Sequence, residues 1–500
     1  MAAIVETTHG KVEGLASDGC FRFLGIPYAA PPTGALRFRA PQPLAPWTGV
    51  RPATSPGNAC PQPDSVLPGM APGPQDENCL FLNVYTPSPD GARRPVLVWI
   101  HGGGFVTGSG SQAIYDGAKL ALRGDVVVVT INYRLGALGF LAPRAAGLDL
   151  EGATDNAGLL DQVAALEWVR DNVARFGGDP GQVTIFGESA GAMSVCTLLA
   201  MPAARGLFHR AIAQSGAAQA TQTPETAARA TRQALAELGL DASRASELRN
   251  VPATEIVAAQ LRTVQQLQRD LFLVFAPVVD PATLPVAPDR AIAEGAAADV
   301  PFLSGTTRDE WRLFTFVQPK HHKLEEDVLQ KRIAHRLRLL GRGEAGTLIE
   351  RYRAPRPTAS PWEIFDAIET DRHFRLPAIK LAEAQRRHQE HTYLYLFSWP
   401  SPAVRGLLGA CHAIELPFVF GTLGAPHMAR FSGSGPVADA LSERTMDTWL
   451  SFARTGRATH DGIEWPTYDS ERRSTVVLDG ESALASDPLS SDRLSWDDLA

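Results

Sequence analysis

Cysteine is scarce in this 500-residue chain, and runs of like charge are missing from it. The five cysteines (Cys20, Cys60, Cys79, Cys196 and Cys411) are odd in number and show no metal-ligand spacing, which argues against a disulfide scaffold or a zinc module. A net charge of −7 spread over the whole length leaves no basic face, so nucleic acid is not an expected partner. No uninterrupted apolar run approaches the ~18 residues of a membrane-spanning helix, so no membrane partner is expected. The segment from Met1 to Gly10 has neither a basic start nor a long apolar run. A cytoplasmic protein is therefore expected, unless a leader has been removed. Internal repeats and low-complexity linkers are also missing, and no point marks where a second core must begin. Residues 1–500 are expected to form a single domain. What is abundant is apolar content, 44%, enough for a large buried core or for two or three smaller ones.

Ile4-Val5, Val12 and Phe21 to Leu24 alternate with polar residues and glycine, the pattern of a small N-terminal antiparallel sheet. Pro27 to Pro74 is rich in Pro and Gly and predicts a long irregular surface segment. Within and beyond it, Cys60 and Cys79 could close a disulfide loop, while two free thiols suit a reducing cytosol. Leu80–Tyr85, Val96–Ile100 and Val126–Ile131 are short apolar runs of the kind buried in a mixed or parallel sheet. Asp155 is expected to cap a helix carrying Leu159, Leu160, Val163, Leu166, Val169 and Val173 at helical spacing, ending at Gly177-Gly178. Further strands are predicted at Ala211–Ser215, Val300–Ser304 and Thr392–Phe397, with an edge strand at Ser474–Leu478. Helical insertions are expected at about 224–270 and 323–390, and a late helix at about Val437 to Arg454. The alternation of strands and helices specifies an α/β fold with a doubly wound, mostly parallel sheet.

Val183-Thr-Ile-Phe-Gly-Glu-Ser-Ala-Gly191 is an apolar run broken by a turn, and it continues into the helical Ala192 to Leu199. A strand-to-helix turn this tight strains its apical residue and demands small neighbours two positions either side. Ser189 is thus lifted out at the end of the sheet, against the positive end of a helix. Read alone, G-x-S-x-G is also compatible with an ordinary turn or helix cap; the flanking strand and helix favour the nucleophile.

Function in open α/β sheets gathers beyond the carboxyl ends of strands. Ile100 is followed by His101-Gly-Gly-Gly-Phe105, whose successive glycines free backbone amides to converge on a developing oxyanion. Gly103, Gly104 and the Ala190 amide are the candidate donors. After the strand ending at Gly305 come Asp309 and Glu310, either of which could serve as an acid, and after Phe397 comes His412. The order serine, acid, histidine matches this architecture.

Competing constellations carry blander explanations. Of the twelve histidines, His321, His322, His388 and His391 sit in charged segments and are expected at the surface, which leaves His427 as the rival to His412. Glu369, Asp371 and His373 resemble metal ligands on paper, but residues two apart do not share a helix face, so solvated or capping roles are expected and no metal is assigned. Cys411 beside His412 is expected to pack, because no turn or oxyanion loop supports it.

The chain resembles the type B carboxylesterases, α/β-hydrolases that include bacterial para-nitrobenzyl esterases, animal carboxylesterases and cholinesterases. The resemblance rests on Phe23–Tyr28, Glu77–Asn83, Asn132–Gly136, Phe186–Gly191, Gly305–Glu310 and His412–Leu416, and covers nearly the whole length. It implies a serine ester hydrolase without metal or cofactor, with a triad of Ser189, Glu310 and His412 and an oxyanion hole of Gly103, Gly104 and Ala190. Glu188 and Ser215 match supporting positions behind the triad, and Arg37 and Glu77 match a salt bridge. Leu271, Leu273, Leu313 and Phe314 flank the positions of the acyl pocket.

Departures from the family pattern shape the substrate expectation. Trp311 stands where the family usually has glycine, so it joins the candidate pocket residues. Asn78 replaces an acidic residue, and the Cys60–Cys79 loop lacks the tryptophan that faces a cation in cholinesterases. The expected pocket is apolar, largely aliphatic and without a buried charge for a cationic substrate, suited to neutral aryl or short-to-medium aliphatic esters. Carbamate, amide or lactone hydrolysis would use the same machinery, whereas a non-catalytic binding protein on this fold would be expected to lack part of the triad. The expected partner is a small-molecule ester, and the expected state a monomer or weak homo-oligomer.

Overall fold

The computed structural model describes residues 2–64, 72–341 and 343–497. Residues 65–71, part of the irregular segment and of the Cys60–Cys79 loop, lie outside the described residues. Among the latter, thirteen strands form one sheet. They are β1 (Ala2–Glu6), β2 (Lys11–Ser17), β3 (Cys20–Pro27), β4 (Val50–Pro52), β5 (Phe81–Thr86), β6 (Arg94–Ile100) and β7 (Val127–Ile131). After these come β8 (Gly178–Glu188), β9 (Arg210–Gln214), β10 (Phe302–Thr307), β11 (Thr392–Phe397), β12 (Ser474–Leu478) and β13 (Ala483–Ser486). The order is β1-β2-β3-β5-β7-β6-β8-β9-β10-β11-β12-β13, with β4 beside β2. From β7 to β12 neighbours run parallel.

Two strand expectations are corrected. The N-terminal antiparallel strands are not a separate sheet, because β3 pairs with β5 from Phe21 opposite Thr86 to Pro27 opposite Phe81. Ser474–Leu478 is not the edge either: β13 pairs antiparallel to its outer side and takes the edge position.

Alternation along the central strands splits their side chains between two apolar layers. Val96, Val98 and Ile100 of β6 join one cluster with Leu159, Val163, Leu166 and Val169 of the helix Ala157–Asn172. Leu97 and Trp99 join the other, with Leu441, Met446, Trp449 and Phe452 of the helix Pro436–Thr455. Both faces are thus covered, which is why these strands are nearly continuous apolar runs. Asp155 does not cap its helix: Asn156 occupies the N-cap, and the Asp155 carboxylate accepts the Arg144 and Ala145 amides at 2.7 and 3.0 Å. The helix ends at Asn172, and a 3-10 turn, Val173–Phe176, leads to Gly177 at φ 84°.

The insertions fold as expected in type, with helices Pro224–Glu237 and Ala253–Leu267 in the first and Glu326–Leu339 through Leu376–Arg386 in the second. The second insertion gathers its own apolar cluster, including Leu329, Ile333, Tyr352 and Phe365. Trp311 packs against both this cluster and the main core. The expected Arg37–Glu77 bridge is formed in bidentate fashion, with nitrogen–oxygen distances of 2.7 and 2.5 Å. Arg37 Nη1 also donates to the Leu248 and Val251 carbonyls, so it ties the irregular segment to the first insertion.

Candidate active site

Gly187 and Gly191 are where the chain has no room for a side chain. A Cβ at Gly187 would meet the Gly191 carbonyl carbon at 2.5 Å, and one at Gly191 would meet the Ile100 oxygen at 2.0 Å. Ser189 between them adopts φ 56° and ψ −124°, a strained conformation for a residue with a side chain. Its amide donates to the Gln214 carbonyl at 2.9 Å, which ties the apex to β9. The Ser189 hydroxyl makes no hydrogen bond to any described residue, and the side chain is only partly buried. It is therefore open to a substrate.

The loop after β6 faces this apex. Gly103 and Gly104 have φ of 107° and 62°, and neither their amides nor that of Ala190 donates to a protein acceptor among the described residues. Three unpaired donors around a partly buried serine are an arrangement that can receive an oxyanion. His101 braces the loop from beneath: its Nδ1 sits 2.8 Å from the Gly102 oxygen and its ring stacks on Tyr133 at 4.5 Å. Burial pushes this imidazole down to about 4, so it is neutral scaffolding. Gln62 closes the far end, exchanging hydrogen bonds with the Gly108 amide and carbonyl at 2.6 and 2.8 Å.

Glu310 and His412 are brought together across the ends of β10 and β11. Glu310 Oε2 lies 2.6 Å from His412 Nδ1, and Glu310 Oε1 accepts the Thr307 amide at 2.8 Å. Asp309 points elsewhere, accepting the Ala410 amide at 2.9 Å, so of the two neighbouring carboxylates it is Glu310 that contacts His412. His412 Nε2 does not bond to Ser189; it lies 2.9 Å from Glu188 Oε1, close but not aligned as a hydrogen bond. Burial opposes charge on this imidazole, but the carboxylates of Glu188 and Glu310 outweigh it and hold His412 well above its usual range.

A third buried carboxyl, Glu415, stands behind these two and was not singled out from the sequence. Burial, with the charges of Glu188 and Glu310 adding to it, pushes Glu415 up to about 8. Its Oε1 accepts from Gln214 Nε2 at 3.1 Å, while Oε2 and the Ser215 hydroxyl are buried without a protein partner. Ser215 itself has φ 52°. Nothing local in the sequence marks Glu415, because its partner is 201 positions away.

The walls differ from the aliphatic pocket expected. Phe314 and Phe374 both lie against His412, at ring distances of 5.0 and 4.9 Å. Trp311 stacks on His373 at 4.8 Å, and Phe272 stacks on the same imidazole at 4.0 Å. Leu273 completes the wall, 3.8 Å from where a Gly104 Cβ would be. Leu271 is partly buried against the main core, and Leu313 packs against the opposite cluster. The side chains packed around His412 and His373 are therefore largely aromatic. Glu188 and Glu310, the carboxylates expected at and behind the triad, are both buried beside His412.

Other residues are also relocated. Glu369, Asp371 and His373 are neither solvated nor capping. A π-helical turn, Asp371–Arg375, joins the helices Pro361–Thr370 and Leu376–Arg386 and buries all three. Glu369 pairs with Arg372 at 2.9 Å and Asp371 with Arg375 at 2.6 Å, while burial pushes His373 down to about 4. His321, expected at the surface, is buried with Nε2 2.9 Å from Asp366. His427 is exposed, on a left-handed residue outside the site. Cys411 is buried, and burial together with nearby Glu310 and Asp309 raises its thiol well above the usual range. Cys60 and Cys79 are free thiols rather than a disulfide.

A mostly parallel sheet covered on both faces, with an apical serine at a carboxyl end of a strand, defines an α/β-hydrolase. The family described as the carboxylesterase family matches residues 1–494, and the chain belongs to it. It is 43% identical to the para-nitrobenzyl esterase of Bacillus subtilis over 98% of this chain and 97% of that one. It is 37% identical to a phenmedipham hydrolase of Pseudarthrobacter oxydans, covering 96% of each. A thermophilic para-nitrobenzyl esterase structure superposes with a TM-score of 0.87 at 40% identity, covering 99% of this chain and all of that one. A carboxylesterase structure from Geobacillus stearothermophilus gives 0.88 at 40% identity, with 99% of each covered. The protein is a carboxylic ester hydrolase.

Proposed function

We propose that Ser189, His412 and Glu310 hydrolyse neutral esters with an aryl or short-to-medium aliphatic group through an acyl-enzyme intermediate. The observation that carries this reading is the unbonded Ser189 hydroxyl, held on a strained apex beside three unpaired amides and the 2.6 Å Glu310–His412 pair. His412 Nε2 takes the Ser189 proton as the hydroxyl oxygen bonds to the ester carbonyl carbon. The carbonyl oxygen gains the negative charge and is received by the amides of Gly103, Gly104 and Ala190. The carbon–oxygen bond to the alcohol then breaks, with His412 returning the proton to the departing alkoxide. Water repeats the sequence and releases the acid.

Glu310 fixes the imidazole orientation, and Glu188 and Glu310 together stabilise the imidazolium formed in each step. Because Nε2 faces Glu188 at rest, the ring must turn toward Ser189 as substrate arrives, a loosening common in unliganded sites. The chain acts as a single catalytic unit over 1–500, as a monomer or weak homo-oligomer in the cytoplasm. Among the described residues no helix is long and apolar enough to cross a membrane. The relative named as a phenmedipham hydrolase supports a second reading, in which the same residues also cleave that compound.

The test is a panel of esters, amides and carbamates given to the purified protein. Turnover of para-nitrobenzyl and para-nitrophenyl esters is expected to exceed that of the matching amides. A folded protein that turns over amides or carbamates but not esters would overturn the substrate assignment.

A further inference from the structure

Asp309 is adjacent to the proposed triad acid, yet it serves the loop that carries the histidine. Its amide donates to the Ala410 carbonyl at 2.8 Å, and its Oδ2 accepts the Ala410 amide at 2.9 Å. This two-way exchange joins segments 101 positions apart. Gly409 fits the clamp because it has φ 57° and lies so close that a Cβ there would stand 2.5 Å from Asp309 Oδ2. Two residues on, the His412 amide reaches the Glu310 carbonyl at 3.4 Å, the next rung between the same loops. We propose that Asp309 is a positioning residue: its carboxylate clamps the Gly409-Ala410 turn to the acid loop and so sets the distance between Glu310 and His412.

A plainer account makes Asp309 a surface ion pair, since Arg308 Nη2 lies 3.0 Å from Oδ2 and Arg312 Nε 3.7 Å from Oδ1. Such pairs contribute little where solvent reaches them, and Arg308 is 41% exposed. The two accounts separate cleanly. An ion pair needs the negative charge, whereas the clamp needs an oxygen that accepts the Ala410 amide. The outer side of Asp309 faces an open cleft of about 610 Å³ that Arg308, Arg312 and Arg356 also line. Truncating the side chain therefore removes the clamp without hollowing the core.

The inference rests on the proposed triad, and its test compares Asp309→Asn, Asp309→Ala, Arg308→Ala and Glu310→Gln in kcat, KM and the pH profile of kcat/KM. Asp309→Asn keeps an acceptor and is expected to stay within about threefold of wild type, as is Arg308→Ala. Asp309→Ala is expected to lower kcat by about 10- to 100-fold at nearly constant KM, the cost of misplacing a catalytic group. It should also move the acidic limb down, because Glu310 and Glu188 are the charges that raise His412. If Asp309→Ala does not fold, Gly409→Ala, which drives a Cβ into the same carboxylate, should give the same loss with the same shift. Equal losses in the Asn and Ala variants, or wild-type kcat and limb in the Ala variant, would overturn the clamp. Full activity in Glu310→Gln would instead overturn the triad, whatever Asp309 does.

Discussion

Glu188 Oε1 stands 2.9 Å from Nε2 of His412, on the ring edge opposite the one held by Glu310. The imidazole is thereby set between two buried carboxylates. Such an arrangement stabilises the imidazolium that a serine hydrolase must form, and at rest it also favours the protonated ring that cannot accept a proton.

The pH dependence of activity follows from this pairing. With His412 held well above its usual 6.5, the base form fills only as pH rises through the raised value, so kcat/KM should climb on an acidic limb above pH 6.5. Glu188→Gln removes one of the two raising charges and should move that limb down, with the plateau lowered by about tenfold because the imidazolium loses a partner. A pH profile of kcat/KM for both proteins checks this. An unmoved limb would show that Glu188 does not act on His412.

Glu415 makes a separate prediction for stability. Its carboxyl is held at about 8 in the fold against 4.5 as a free side chain. Between those values the folded chain keeps a proton that the unfolded chain has released, so stability contributed by this group falls as pH rises through that window and levels off above it. Urea unfolding should give Glu415→Gln a flatter stability profile from pH 5 to 8, with a relative gain on the order of a few kcal/mol across it. A profile as steep as that of wild type would place the titration elsewhere.

The aromatic wall predicts discrimination between rings of similar size. Benzyl and cyclohexylmethyl esters of one acid have similar leaving groups but differ in ring chemistry. Aromatic pairs add roughly 0.5–1.5 kcal/mol beyond area burial, so kcat/KM should favour the benzyl ester by about two- to tenfold. Trp311→Leu, which removes the ring stacked on His373, should narrow that ratio without abolishing turnover of an ethyl ester. An unchanged ratio would remove Trp311 from the substrate wall.

The parts of the site legible in the sequence are those where backbone sterics dictate residue type. Gly187 and Gly191 admit no side chain, and Gly103 and Gly104 after β6 adopt positive φ, so both motifs are visible as local patterns. Choosing Glu310 over Asp309 needed the family pattern, because their separate destinations are set by Thr307, Ala410 and His412 in three dimensions. Trp311 and Phe314 are legible as pocket candidates, whereas Phe272 and Phe374 are not, because they come from distant segments, the second placed by a π-helical turn that helical periodicity does not foresee. Asp371 and His321 were expected in solvent because charge usually is. Arg375 and Asp366, their buried partners, are what make the interior tolerable.

The central claim, that Ser189 is the nucleophile, is tested most directly by Ser189→Ala assayed on a para-nitrophenyl ester alongside mass analysis after treatment with a fluorophosphonate. Turnover is predicted to fall by at least about 1,000-fold with the fold intact, and the wild-type protein to gain one adduct, on the peptide carrying Ser189, that the variant lacks. Turnover near the wild-type rate, or a label on any other residue, would contradict the account.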